Sequence, residues 1–305
     1  MNNTLRGHLA LASVALIYGS NYIIVKSVMP DPIGANSFIT LRVAGACLLF
    51  WLVVGKKAVI PDKEDRWRFV LCALTGVATN QLFFFNGLAL TSPINASIIM
   101  TSNPILVMLI SAVLLKQRIT WMKVLGVVIG AIGAITLLWI STHDASKQSS
   151  ITGDIYILIN SLSFAFYLVL VKPLMSKYHP FVVTAWIFTI GVFMVLPFGG
   201  LGITTVEWST LSTWQWFCVG FVIVFTTFLS YLLNNIGIHY TSSTVTSSYI
   251  YLQPILAGVF AFLFSGITEK NFASDITFNK VLCALLVFAG VFLVSRSEAK
   301  VAAMK

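Results

Sequence analysis

Long apolar segments alternate with short polar connections along nearly all of the 305-residue chain. Most of these segments hold about 20 residues, the length that an α-helix needs to cross the hydrocarbon core of a bilayer. The pattern therefore predicts an all-α integral membrane protein with ten transmembrane helices, called spans one to ten. The predicted spans are residues 8–28, 33–54, 68–88, 93–115, 121–140, 151–171, 181–201, 213–235, 242–265 and 278–295.

The second half of the chain repeats the first. The stretch TSPINASIIMTSNPIL (91–106) returns 150 positions later as TSSTVTSSYIYLQPIL (241–256), with six identical residues in sixteen. Gly7 and Gly153 match at an offset of 146. Such agreement without gaps indicates a duplicated unit. The pairs that match at the larger offset are Thr91/Thr241, Ser92/Ser242, Ser97/Ser247, Pro104/Pro254, Ile105/Ile255 and Leu106/Leu256, with Gly87/Gly237 upstream.

The duplication predicts a topology. Residues 1–143 and 151–296 form two five-helix units, followed by a tail at 297–305. Since five is an odd number, the second unit enters the membrane from the opposite side, which makes the repeat inverted. With the N-terminus inside, fourteen of the 19 Lys and Arg residues lie on the cytoplasmic side, so both termini are predicted to be cytoplasmic.

Composition agrees with a membrane location. The chain is 58% hydrophobic and 10% charged, whereas soluble proteins contain about 25% charged residues. The net charge of +9 would suggest nucleic acid for a soluble protein. In a membrane protein, this charge comes from Lys and Arg residues in the cytoplasmic loops, so we expect contact with membrane lipid and none with nucleic acid. The four cysteines lie in apolar segments without a CxxC pair, so we expect no disulfide, metal or cofactor.

Both copies of the repeated stretch carry a proline inside an apolar helix, just after a carboxamide side chain. Pro104 follows Asn103, and Pro254 follows Gln253. A proline removes one backbone hydrogen bond, and the carbonyl that it frees needs a partner or a water-lined cavity within a bilayer. Two interpretations stay open, an ordinary kink or a pair of hinges beside a substrate site. The candidate substrate-binding residues here are Thr101, Asn103, Tyr251 and Gln253, with the span-four side expected to be more polar.

Other polar side chains lie deep within the predicted spans, at matching points of the two units. They indicate either one shared polar cavity or hydrogen bonds between helices, which contribute about 0.6 kcal/mol each in a membrane. As a set they favour a cavity that binds a small-molecule substrate. The further candidates for substrate binding are Tyr18, Asn21, Asn80, Gln81, Tyr167, Tyr231 and Trp186, with Asn160, Ser230 and Asn234 beside them and Trp186, Phe84 and Tyr249 as aromatic walls.

Arg42 is the one basic residue near the middle of a span. Burying it costs at least about 2.5–3.5 kcal/mol on insertion scales, so its position calls for a reason. The side chain would bind a carboxylate or phosphate of the substrate, or it would bind freed backbone carbonyls in a structural role. The sequence leaves both interpretations open.

Several signatures are absent. None of the ten acidic residues falls in the middle of a span, which disfavours a proton relay through a membrane carboxylate and a cationic substrate. No HExxH, GxSxG or pair of membrane carboxylates occurs, so we expect no enzymatic activity. Gly126 and Gly130 form a GxxxG motif, which fits close packing within the chain or a homodimer; monomer and dimer both stay open.

The order of several motifs resembles the EamA-type transporters of the drug/metabolite transporter superfamily. The motifs are YGSNYIIVK (18–26), LRVAGA (41–46), ASIIMTSNPILVMLISAVLLKQRIT (96–120) and GVVIGAIGAITLL (126–138). This resemblance implies a secondary transporter in a bacterial inner membrane that exports an amino acid or a related metabolite by alternating access. Two alternatives remain, an exchanger of sugar phosphates or nucleotide sugars and a membrane sensor that does not transport.

Overall fold

The computed structural model describes residues 3–26, 28–55, 59–114, 121–142, 150–241, 243–264 and 276–303. Within them, a helix lies at each predicted span, and these helices are numbered α1 to α10 in chain order. Part of the loop at 55–67, the end of the 96–120 motif and most of the connections at 141–150 and 266–277 lie outside the described residues. The helices are α1 Asn3–Val25, α2 Ala35–Val54, α3 Arg66–Leu90, α4 Pro93–Leu114, α5 Trp121–Thr142, α6 Ile151–Lys177, α7 Pro180–Ile203, α8 Thr213–Tyr240, α9 Val245–Phe264 and α10 Phe278–Ala303.

Eight of these helices are long and apolar enough to cross a membrane. The other two, α5 and α10, contain 22 and 26 residues, with shorter described apolar stretches at Val124–Leu137 and Phe278–Gly290. In the described part of the chain, the structure thus confirms the all-helical fold, with helices suited to a membrane. The count of ten spans and the orientation of the termini stay predictions.

Helices of the two predicted units pack in pairs across the molecule. The main contacts join α1 to α8, α3 to α6, α2 to α7 and α5 to α10. Each pair takes one helix from each unit. The α1–α8 pair corresponds to the α6–α3 pair, because α1 and α6 are the first helices of the two predicted units and α8 and α3 are the third. The pairing is therefore consistent with the predicted two-fold relation between the units.

Glycines allow the closest of these contacts. A Cβ atom on Gly290 of α10 would lie 2.5 Å from the carbonyl oxygen of Gly126 on α5, and one on Gly133 would lie 2.9 Å from the carbonyl oxygen of Cys283. Such distances leave no room for a side chain, so the two backbones touch. The GxxxG motif of α5 is thus occupied by packing within the chain.

Four helices deviate from regular α geometry at similar points of the two units, and α6 is also interrupted at Val171. In α3 and α8, wide π-helical turns cover Leu74–Ala78 and Val222–Leu229. α4 is interrupted at residues 101–102, just before Pro104, and α9 tightens to a 3₁₀ turn at Tyr249–Tyr251, just before Pro254. Irregular turns expose backbone carbonyls that side chains then have to satisfy.

Two ends of the bundle are distinguished below by residues that lie there. The Asp154 face holds the connection between α3 and α4 and the first turn of α6, where Ser150 N donates to Leu90 O at 3.0 Å. The Lys177 face holds the loop before α3 and the end of α6, where Lys177 lies 2.6 Å from Asp65.

Candidate substrate cavity

A cavity of about 480 Å³ lies in the centre of the bundle, between helices of both predicted units. The helices α1, α2, α3, α4, α6, α8 and α9 all contribute side chains to it. Most of these side chains are buried. The lining residues are Tyr18, Asn21, Tyr22, Arg42, Asn80, Gln81, Phe84, Phe85, Met100, Asn160, Phe164, Thr226, Tyr231 and Gln253.

Arg42 supplies the positive charge of this cavity and is 2% exposed. Its Nε donates to Thr227 Oγ1 at 2.8 Å, and its Nη1 donates to Gln81 Oε1 at 2.5 Å. The guanidinium carbon also lies 4.2 Å from the ring centre of Phe85, in cation–π geometry. A guanidinium has five N–H groups, so these fixed contacts leave donors for a ligand.

The wide turn of α3 explains why a polar network surrounds this arginine. Tyr231 of α8 donates its hydroxyl hydrogen to Gly76 O in that turn at 2.5 Å and accepts a hydrogen bond from the amide of Gln81. Ser163 of α6 donates to Thr75 O in the same turn at 2.6 Å. The turn is thus satisfied by side chains of the other unit, and Gln81 is held against Arg42.

Three buried polar atoms that line the cavity have no hydrogen-bond partner in the described part of the chain. They are Asn21 Oδ1, Asn160 Oδ1 and Thr226 Oγ1, on residues that are 1–2% exposed. The Nδ2 of Asn160 donates to Asn80 O at 2.7 Å, which orients that amide. Leaving a buried polar atom unsatisfied costs about 1–3 kcal/mol, so these atoms indicate a site for a hydrogen-bonding ligand or for water.

Aromatic side chains form an apolar wall of the same cavity. The rings of Tyr22 and Phe84 lie 5.6 Å apart, and those of Phe84 and Phe85 lie 5.0 Å apart. Met100 and Phe164 extend this surface. The cavity therefore combines one cation, several acceptors and a patch suited to an apolar group.

Seven of the residues proposed from the sequence as substrate-binding line this cavity together. Two of them are also fixed by contacts between the units: Gln253 Oε1 accepts from Tyr22 at 2.8 Å, and Tyr18 accepts from Asn234 at 3.2 Å. The seven are Tyr18, Asn21, Arg42, Asn80, Gln81, Tyr231 and Gln253.

The other five proposed residues are not among the lining side chains. Asn103 donates to Ser161 O at 2.7 Å, and Thr101 donates to Ile98 O at 2.5 Å within its own helix break. Tyr167 donates to Asn235 at 2.8 Å. Trp186 donates to Val59 O in the loop before α3, and Tyr251 packs against Phe288, 5.7 Å between ring centres. α4 contributes Met100 to the cavity and α9 contributes Gln253. Of these two helices, α9 therefore provides the polar side chain, whereas the sequence predicted a more polar span-four side.

Sequence reasoning missed several lining residues. Tyr22 was not proposed, although it lies four positions after Tyr18 in α1 and helical spacing would have placed it on the same face. Thr226 lies in the wide turn of α8, whose position no local pattern reveals. Phe85, Met100 and Phe164 are ordinary apolar residues in apolar helices, without a distinguishing signal.

A smaller space of about 250 Å³ adjoins the central cavity. Tyr18, Phe164 and Gln253 line both spaces. The smaller one runs between α1 and α9 as far as Tyr249, whose hydroxyl lies 2.8 Å from His8 Nδ1. It therefore extends from the central cavity towards the part of α1 that holds His8.

Comparison with known proteins gives a consistent result. A model described as the EamA-like transporter family matches the chain twice, over residues 5–139 and 151–296. The uncharacterized transporter YyaM of Bacillus subtilis is 27% identical over 234 residues, which is 76% of this chain and 74% of that protein. An uncharacterized transporter of Archaeoglobus fulgidus is 24% identical over 297 residues, which is 95% of this chain and 98% of that protein.

Two further similarities extend this comparison. A WAT1-related chloroplastic protein of Arabidopsis thaliana is 24% identical, over 94% of this chain and 69% of that protein. A solved crystal structure superposes with a TM-score of 0.61 at 17% identity, covers 96% of each chain, and supports the fold alone. Because the family model covers both halves of the sequence, the chain belongs to the EamA-like transporter family and is a multi-pass membrane transporter of the drug/metabolite transporter superfamily.

Proposed function

We propose that this protein is a secondary transporter that exports a small zwitterionic metabolite, such as an amino acid with an apolar side chain. The observation that carries the proposal is the combination, in one cavity, of Arg42 with the oxygens of Asn21 and Asn160, which have no hydrogen-bond partner among the described residues. A buried cation favours a carboxylate, and buried amide oxygens favour an ammonium group. The aromatic wall at Phe84 fits an apolar side chain.

The charge of the cavity argues against the anionic alternative. A sugar phosphate or nucleotide sugar carries about two negative charges at neutral pH. Arg42 is the one charged residue among the lining side chains, so a second negative charge would be buried without a counter-ion. Burying such a charge is costly, which favours a substrate with one negative and one positive group.

Alternating access supplies the mechanism. The breaks before Pro104 and Pro254 act as hinges about which parts of α4 and α9 tilt, opening the cavity to one face and then to the other. In a bacterial inner membrane, the Lys177 face lies in the cytoplasm, in agreement with the positive-inside rule. The space between α1 and α9 is then the entry route for substrate.

Counterflow in liposomes that contain the purified protein tests this proposal. The probes are labelled phenylalanine, leucine, glutamate and glucose 6-phosphate, each against an excess of the same compound inside. We expect exchange of a neutral amino acid, a loss of at least about ten-fold in Arg42→Gln because a buried charge-assisted contact disappears, and no loss in the control Arg68→Gln, whose side chain lies near the Lys177 face.

Thermal unfolding of both variants separates lost binding from lost folding. Exchange of glucose 6-phosphate alone would overturn the zwitterion assignment in favour of an anion exchanger. Absence of any flux with a well-folded protein would favour a sensor.

A further inference from the structure

Asp154 lies in the first turn of α6, where the second unit meets the first. It follows Gly153, whose Cβ atom would lie 2.9 Å from Gly87 O and 2.8 Å from the carbonyl carbon of Leu90. α6 therefore crosses α3 backbone to backbone at this point.

The carboxylate is fully buried, at 0% exposure. Thr91 Oγ1 donates to its Oδ1, and Asn95 Nδ2 donates to its Oδ2 at 3.5 Å. Thr91 lies in the connection between α3 and α4 and Asn95 in the first turn of α4, both in the first unit, and both are themselves 0% exposed. These hydrogen bonds, called the Asp154 contact, tie the second unit to the first at this face.

The other face carries the equivalent arrangement. At the offset of 146 that relates Gly7 to Gly153, His8 corresponds to Asp154. A Cβ atom on Gly7 would lie 2.9 Å from Thr241 Cγ2, 3.1 Å from Tyr240 Cβ and 3.7 Å from Gly237 O, so α1 contacts the end of α8 there, with more space between the backbones than at Gly153. His8 in turn lies 2.8 Å from the hydroxyl of Tyr249 on α9. Each face thus has a glycine contact between the units, followed by a titratable residue that contacts the α4 or α9 helix of the opposite unit.

Among the described residues, the titratable groups on the elements that pack near Asp154 are as follows. The described parts of α3 and α4 that pack against it, residues 79–90 and 93–100, contain none. Lys26 at the end of α1 reaches Ala89 O at 3.4 Å. Lys280 of α10 lines a groove beside Ile94 and Ile98 of α4. Tyr156 follows on α6 itself and packs against Phe83.

We propose that Asp154 is a proton-binding site that controls opening at the Asp154 face. As a carboxylate it accepts both hydrogen bonds, which are charge-assisted and therefore stronger than neutral ones. Protonation removes the negative charge and turns one oxygen into a donor, so the Asp154 contact weakens and the units separate at this face. With this face outside the cell, external protons favour release of substrate to the outside.

This inference rests on the alternating access proposed above, but its test needs no substrate. Spin labels are attached at Leu90→Cys and Ile151→Cys, in a full-length protein whose four native cysteines are replaced by alanine. Both positions are exposed, at 47% and 44%, and flank the crossing of α3 and α6. Dipolar broadening is recorded in lipid nanodiscs between about pH 8 and about pH 5, a range in which perturbed carboxyl groups and histidines titrate.

We expect the broadening to decrease as the pH falls, because the labels move apart by several ångströms. Asp154→Asn should show the wide separation at every pH, and Thr91→Val should shift towards it. In the matched control His8→Asn, the pH response at this face should persist.

A pH-independent spectrum in the wild-type background would overturn the proposal. So would a response that disappears in His8→Asn and persists in Asp154→Asn. Since the spectra are independent of flux, failure of the counterflow assay with a preserved pH response would count against the proposed substrate and leave the proton site standing.

Discussion

The amide of Asn160 is oriented by one hydrogen bond and presents its oxygen to the central cavity. Its Nδ2 donates to Asn80 O at 2.7 Å, and its Oδ1 has no partner in the described part of the chain. A hydrogen bond to a charged group contributes about 1.5–3 kcal/mol, so the oxygen favours an ammonium ligand over a neutral one. Asn160 is therefore the position at which selection for an amino group is most directly tested.

Asn160→Leu should raise the KM of a zwitterionic substrate by about ten-fold to a hundred-fold, in line with that range. The measurement is counterflow with phenylalanine and with the corresponding carboxylic acid that lacks the amino group. The acid should be transported poorly by both proteins, with little difference between them. An equal loss for both compounds would indicate that Asn160 only supports α3 and has no role in selection.

The stability of the contacts between helices depends on glycines where the helices of the two units cross. Gly153→Ala places a Cβ atom within 2.9 Å of backbone atoms of α3, which cannot move aside as a flexible side chain would. We expect a loss of about 1–3 kcal/mol in the free energy of unfolding, as for other overpacked sites. Thermal unfolding in detergent, followed by intrinsic tryptophan fluorescence, measures the change.

Gly220→Ala is the control for that substitution. Position 220 also lies in a helix, but a Cβ atom there would meet no atom within 4 Å. Because alanine favours a helix over glycine by up to about 1 kcal/mol, this variant should be unchanged or slightly more stable. Equal destabilisation by both substitutions would contradict the packing argument.

The breaks in α4 and α9 make a second prediction at the same scale. Pro104→Ala allows a regular backbone hydrogen bond across the break at residues 101–102. If the break is a hinge, the turnover rate should fall several-fold while substrate affinity is kept. Counterflow rates and equilibrium binding of the same labelled amino acid separate the two quantities. An unchanged rate would favour the ordinary kink.

The breaks also limited how well the sequence predicted which side chains of α4 and α9 line the cavity. Span length and amide–proline pairs located the helices and placed Gln253 beside the cavity. They did not show that residues 101–102 leave the helix, which changes the direction of the side chains on either side. Asn103 consequently bonds Ser161, and α4 presents Met100 where the repeat suggested a polar residue. Identity between two repeats constrains backbone position more than side-chain direction.

The sequence also did not show which side chains at the ends of the spans are buried. Asp154 lies at the entry of span six, where a carboxylate would ordinarily be solvated. It is instead covered completely because Gly153 lets α6 approach α3. Trp186 is the converse case, since its indole, proposed as a wall of the cavity, donates to Val59 O in a loop. Tertiary packing decides both cases.

At the scale of the whole molecule, the two units are also joined at the Lys177 face. Lys177 Nζ lies 2.7 Å from Asp62 and 2.6 Å from Asp65, so the end of α6 is tied to the loop before α3. The Tyr178 hydroxyl donates to Asp65 at 2.8 Å. Hydrogen bonds from Lys177 and then from Tyr178 lower the pKa of both carboxyl groups.

A lowered pKa in the folded protein gives the pH dependence a definite sign. The stabilisation is present above the unfolded-state pKa of about 3.9 and is lost as the pH falls through the lower folded-state value. Asp65→Asn should therefore lower the Tm near neutral pH, and its difference from wild type should shrink under acid conditions. Because Lys177 is 47% exposed and Asp62 is 62% exposed, added salt should also reduce the difference.

Glu64→Gln is the matched control, since Glu64 is an exposed carboxylate in the same loop without a described ion pair. Its Tm should follow wild type at every pH. If Asp65→Asn and Glu64→Gln behave alike, net charge rather than the Lys177 contact accounts for the effect. If only Asp65→Asn changes, the hydrogen bonds from Lys177 and Tyr178 account for the pH dependence at the Lys177 face.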